Sequence, residues 1–146
     1  MTKKIEYSSN LERHFTQFEI KDKTYTIYFS EEYYKILTEE KLEEIFKFVN
    51  SSEFKLIITE PLYLLSLLAQ KYFSEYKIKN EDLTNEFDFT FDSITLNLQN
   101  EYELDYYLYL TKQNEGDNYG TWKSTHQNFG SNVGKNTIIK IERKQH

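Results

Sequence analysis

The sequence predicts an α+β fold, with an antiparallel or mixed sheet and about two helices packed on one face. Three observations carry that reading. Apolar residues alternate with a period of two near both ends of the chain, the mark of half-buried strands. Between those regions the apolar spacing becomes helical. The chain also has 13 Tyr and 11 Phe against a single Pro, a composition that favours a packed core over disorder.

Residues 14–20 and 24–29 read as two strands joined by the polar triplet Lys21-Asp22-Lys23. Ser30 can cap a helix directly after the second strand, and Thr38 is the better cap, because Leu42, Ile45, Phe46 and Val49 then fall at helical spacing. Glu39, Glu40, Glu43 and Glu44 lie on the opposite face, as an ordinary solvated row. Residues 54–59 form a short apolar run that reads as a strand, with a helical turn as the alternative. Pro61 then opens a second helix, where its missing N–H has no intrahelical partner to lose. Leu62, Leu65, Leu68, Ala69, Tyr72 and Phe73 form its apolar stripe, and Leu64 and Leu67 widen it.

After a polar connection the period returns to two. Phe87, Phe89 and Phe91 share one face, but Ile94, Leu96 and Leu98 are offset from them by an odd number, which requires a bulge near Asp92-Ser93. Gln99-Asn100-Glu101 fits a hairpin turn, and Tyr102, Leu104, Tyr106, Leu108 and Leu110 alternate beyond it. Residues 112–136 hold all four glycines and the single Trp122, and read as a long irregular loop. Residues 137–141 read as a closing strand, with the polar ends, 1–9 and 143–146, loose. With no repeat or low-complexity linker, residues 1–146 read as one domain, the usual size for 146 residues.

Composition narrows the function classes. No cysteine is present, which removes thiol catalysis and thiolate metal sites and favours a reducing compartment. The N-terminus lacks an apolar run after its lysines, and the longest apolar stretch, residues 62–69, falls far short of the ~20 residues of a membrane span. A cytoplasmic location is therefore expected. The net charge of −6 disfavours direct contact with nucleic-acid phosphates.

Motifs for catalysis are missing. His14, His126 and His146 are too far apart for a helical zinc site, and no Gly-x-Ser-x-Gly occurs. Residues 130–137 loosely suggest a phosphate loop, but only three residues separate the glycines where four are required, and Asn136 replaces the metal-binding hydroxyl. Asp117 with His126 is the one acid–base pair worth locating in the fold. No cofactor, no metal and no catalytic residue is expected.

Charge distribution is the informative feature. Between residues 75 and 105 nine acids face two lysines, a net −7, whereas residues 112–146 hold six bases and three acids. If Leu104, Leu108 and Leu110 face the core, the other face of that strand shows Glu101, Glu103, Asp105, Tyr107 and Tyr109. Acid rows steer basic partners, and tyrosines supply contact area with a hydroxyl. Asp88 and Asp92 from the same acidic stretch, and Trp122 from the glycine-rich segment, complete the expected contact set.

The stretch Asp82-Leu83-Thr84-Asn85-Glu86-Phe87, with Phe91-Asp92-Ser93-Ile94-Thr95-Leu96 and Tyr102-Glu103-Leu104-Asp105-Tyr106 after it, resembles small bacterial domains encoded beside polymorphic toxins, the immunity-type proteins. The resemblance implies a small acidic inhibitor that covers a cognate toxin, so no active-site residue carries over. The expected partner is a protein with a basic surface. The alternatives are a phage-encoded inhibitor that blocks a bacterial defence complex by charge mimicry, a small enzyme or ligand-binding domain using residues 116–134, and a scaffold that oligomerises through aromatic edge strands.

Overall fold

The chain builds from two hairpin regions with a helical crossover between them. A computed structural model describes residues 5–97, 101–130 and 137–146. The first region holds β1 (Glu6–Ser8), β2 (Arg13–Ile20) and β3 (Lys23–Phe29). Lys21 and Asp22 take positive φ, 47° and 66°, the handedness that matches the twist of a two-residue hairpin. The helices α1 (Glu31–Ile36), α2 (Glu39–Val49), α3 (Ser52–Thr59) and α4 (Leu62–Tyr72) come next, then a 3-10 turn (Asn80–Asp82) and the short α5 (Leu83–Glu86). Last come β4 (Phe87–Leu96), β5 (Glu101–Leu110), β6 (Glu115–Gly116), β7 (Gly120–Gln127) and β8 (Ile138–Gln145).

Among the described residues the strands form one eight-stranded sheet, in the order β1-β2-β3-β4-β5-β7-β8, with β6 on β5. The β3–β4 pair is parallel and the other pairings are antiparallel. A parallel pair needs a long crossover, and the helical segment between Phe29 and Phe87 supplies it. The sheet is therefore mixed, as expected, but α1 to α4 make more helix than the two anticipated. The β4–β5 hairpin and the β4 bulge, between Phe91 and Ser93, also stand as expected. Of the expected turn, residues 99 and 100 lie outside the described residues and Glu101 already belongs to β5; residues 98 and 131–136 lie outside the described residues as well.

The helices cover one face of the sheet. Phe18 of β2 meets Phe54 of α3, and Phe54 meets Phe91 of β4. Phe73, just after α4, and Phe89 both pack near Trp122 of β7. Trp122, Tyr102, Phe18, Phe29, Phe54 and Phe87 are the largest fully buried side chains, and each large apolar side chain so buried stabilises by about 1.5–3 kcal/mol.

Three expectations are corrected. Residues 54–59 are helical, not a strand: Ser51 Oγ accepts the Phe54 N–H and caps α3, while Phe54 and Ile57, three apart, are its buried pair. Residues 112–136 are not one irregular loop, because β6 and β7 lie within them. The β7 core face reads Trp122, Ser124, His126, so its period-two signal is not apolar. The ends are not loose throughout: β1 occupies Glu6–Ser8 and pairs with β2, the final strand extends to Gln145, and Arg143 is fixed because its guanidinium is bonded to Asp117. On α4 the apolar stripe is only partly covered: Leu64 and Leu67 stay exposed.

Candidate functional site

The face of the sheet opposite the helices is built at its centre by β4 and β5, where Asp88, Thr90, Asp92 and Tyr107 are exposed while Ser93 and Thr95 are buried. Along β5 the core-facing row is Tyr102, Leu104, Tyr106, Leu108 and Leu110, all buried. The alternate row, Glu101, Glu103, Asp105, Tyr107 and Tyr109, points the other way, because successive strand residues face opposite sides. Register places Asp88 beside Tyr109, Thr90 beside Tyr107, Ser93 beside Asp105 and Thr95 beside Glu103. Asp92 sits at the bulge and is exposed, as is Asp88. Seven of the eight expected contact residues therefore share this face.

The eighth, Trp122, does not. It is fully buried on the helix-covered side, so it cannot contact a partner. Its indole N–H donates to Asp117 Oδ2 at 2.8 Å. Asp117 and His126 are not brought together either. Asp117 N–H donates to Leu108 O, while His126 pairs with Tyr102, so they lie six β5 residues apart, roughly 20 Å. His126 is buried against the Tyr102 ring with Nε2 2.7 Å from Ser124 Oγ.

Asp117 instead holds Arg143. The guanidinium Nε donates to Oδ2 at 2.9 Å and Nη2 to Oδ1 at 3.1 Å, a two-point pair. Burial pushes the Asp117 carboxyl up, but hydrogen bonds from Arg143, Trp122 and the Tyr119 N–H, with the Arg143 charge, hold it below its ordinary value. Gly120 is required beside this pair, since an added Cβ would fall 2.5 Å from the Arg143 guanidinium carbon.

The acids on this face are not equivalent. Lys123 of β7 stands opposite Asp105, with Nζ 2.8 Å from Asp105 Oδ1 and 3.7 Å from Glu103 Oε2. Two carboxylates of the row are thus partly neutralised by one ammonium. On the far flank Arg13 lies over the Tyr28 ring, 4.1 Å from its centre, and Nη1 reaches Thr95 Oγ1 at 3.4 Å. Among the described residues Asp88, Asp92 and Glu101 remain without such a base, so the available negative charge sits at these positions.

The two tyrosines are held in place. Tyr107 donates its hydroxyl hydrogen to Asn118 Oδ1 at 3.2 Å, and Tyr109 donates to Asn114 Oδ1. Gly116 lies under the Tyr107 phenol, where an added Cβ would meet the hydroxyl oxygen at 1.5 Å. Beside Tyr107 a cleft of about 200 Å³ opens between Asp92, Asp105, Asn118, Thr121 and His146. His146 Nε2 is 2.6 Å from Thr121 Oγ1 at its rim.

Sequence reasoning missed Lys123, Asn114 and Asn118, and met His146 only as an isolated histidine; register and loop geometry bring all four to this face. The position of Lys123 is set only by the β5–β7 pairing. Among the described residues no group of three or more His, Asp and Glu side chains is placed to hold a metal ion, and no helix is long and apolar enough to cross a membrane. Compared with known proteins, the chain matches no family model, no curated protein and no solved structure.

Proposed function

We propose that the chain is a non-enzymatic protein-binding inhibitor of the immunity type, which occludes a basic site on a cognate bacterial toxin with its acidic sheet face. One observation carries this reading: the outward positions of β4 and β5 hold Asp88, Asp92, Glu101, Glu103 and Asp105, with Tyr107 and Tyr109, and neither strand contains a lysine or arginine. Such a surface attracts a cationic partner over a distance and raises its association rate. The tyrosines then supply buried contact area. Their hydroxyls are already bonded to Asn114 and Asn118, so little side-chain freedom is lost when a partner covers them.

Calorimetry against the product of the neighbouring gene, at about 0.05 M and about 0.5 M salt, tests this. Tight binding that weakens with salt is expected. Tyr107→Ala and Tyr109→Ala should each weaken it at least about tenfold, or about 1.4 kcal/mol. Gly116→Ala should move the Tyr107 ring aside and weaken binding less than Tyr107→Ala. Glu40→Ala and Glu43→Ala, on the solvated face of α2, should change nothing. A toxin bound equally well by the two tyrosine variants would remove this face from the mechanism, and absence of any binding would remove the inhibitor reading.

A further inference from the structure

Among the described residues β8 pairs with β7 and no strand lies beyond it, so β8 is an edge of the sheet. An edge exposes unpaired backbone N–H and C=O groups, and proteins commonly blunt such edges with lysines. This edge is blunted selectively. Its outward row reads Lys140, Glu142, Lys144, an acid between two bases, and Glu142 lies 2.8 Å from Lys140 Nζ and 3.8 Å from Lys144 Nζ. Three lysines in that row would repel every second copy of the chain. The alternating row repels some registers and fits two, with axes at Ile141 and at Arg143.

We propose that the chain self-associates through β8, two copies pairing antiparallel about a two-fold axis at Ile141 and perpendicular to the sheet. In that register Lys140 of each copy stands opposite Glu142 of the other, and the two Ile141 side chains meet on the helix-covered face. The neighbouring registers are worse. An axis at Lys140 sets the two lysines against each other. An axis at Glu142 opposes the two glutamates and also sets Lys140 against Lys144. An axis at Arg143 keeps acid–base pairs outside but opposes the two guanidiniums.

The helix above this edge gives a second, independent argument. Tyr72 of α4 lies over the Arg143 guanidinium, with its ring centre 4.3 Å from the guanidinium carbon. Leu64 and Leu68 precede Tyr72 at four-residue spacing, so the three share one row along the helix, of which Tyr72 is the member placed over β8. Leu64 is 44 % exposed and Tyr72 50 % exposed, although both are large apolar side chains. Continuing the sheet through β8 brings a second α4 alongside and offers that row an apolar neighbour. The outward faces of both copies then lie on one side of the joined sheet, so the self-association is independent of the inhibitor reading.

Sedimentation of the full chain, up to about 1 mM protein, tests the proposal. A reversible monomer–dimer equilibrium is expected for the natural sequence. Lys140→Glu sets acids opposite acids and Glu142→Lys sets bases opposite bases, so each variant alone should weaken the dimer at least about tenfold. An equimolar mixture of the two should recover dimers, because each then supplies the charge the other lacks. Recovery also rules out misfolding as the cause of the single-variant losses. A natural chain that stays monomeric throughout, dimers indifferent to both substitutions, or variants that fail to recover on mixing would each overturn it.

Discussion

Arg143 lies against the Tyr72 ring on one side and is bonded to the Asp117 carboxylate on the other, with its side chain only 8 % exposed. A cation so enclosed depends on its partner. Asp117→Ala should destabilise the fold by about 3–5 kcal/mol in urea denaturation at neutral pH, because the guanidinium stays buried without a counter-charge. In the double variant with Arg143→Met the loss should be smaller than the sum of the two single losses. The acid limb adds a second reading of the same pair. Asp117 is held below its ordinary value when folded, so its contribution is complete above the unfolded value of about 3.9 and disappears as pH falls through the folded one. The natural chain should therefore lose stability on acidification more steeply than Asp117→Asn, and equal slopes would assign the acid loss elsewhere. Nothing in the sequence announces this pair. Asp117 and Arg143 are 26 residues apart, and only the β7–β8 pairing brings them together.

At the scale of one element, α3 shows how local pattern and tertiary context divide the work. Ile57, Ile58 and Thr59 are β-branched, which favours a strand reading. The cap at Ser51 and the three-residue step from Phe54 to Ile57 are the helical signal, and they prevail because both side chains reach the core. The helix end is fixed from the sheet beneath it. Tyr106 donates its hydroxyl hydrogen to Ile58 O at 2.6 Å, satisfying one of the last carbonyls of a helix, which lack an intrahelical partner. Burial pushes the Tyr106 phenol far above its ordinary value, so it remains a donor throughout the usual pH range. Tyr106→Phe should cost about 1–3 kcal/mol in urea denaturation at neutral pH. Undiminished stability would mean that the carbonyl finds water instead. The β4–β5 hairpin was legible for the opposite reason: its alternation is apolar on one face and its partner strand is adjacent in sequence. The same alternation identified the acidic face, whereas the placement of Lys123, Asn114 and Asn118 depended on connections that alternation does not encode.

For the molecule as a whole, the parallel β3–β4 pair is the joint on which cooperativity depends. Within the sheet it is the link between the N-terminal hairpin and the strands that come after the helices. Strand order of this kind is set by the helical crossover, and no local spacing reveals it. Behind the joint, aromatic side chains continue the connection from Phe18 through Phe54 to Phe91, and Tyr25 stacks on Phe91 with ring centres 5.0 Å apart. Ile27, fully buried, lies in the joint directly beside Ile94. Ile27→Ala should cost about 2–5 kcal/mol through lost burial and the cavity left behind. It also tests whether the two regions unfold together. Trp122 is the single tryptophan and sits on β7, three strands from β3, so its fluorescence reports the distant part of the sheet. Because the apolar core spans the joint, the substitution should lower the fluorescence midpoint and the far-ultraviolet dichroism midpoint by the same amount. An early dichroism phase with an unmoved fluorescence midpoint would mean that the N-terminal hairpin separates first and that the aromatic contacts behind it do not bind the two regions into one cooperative unit.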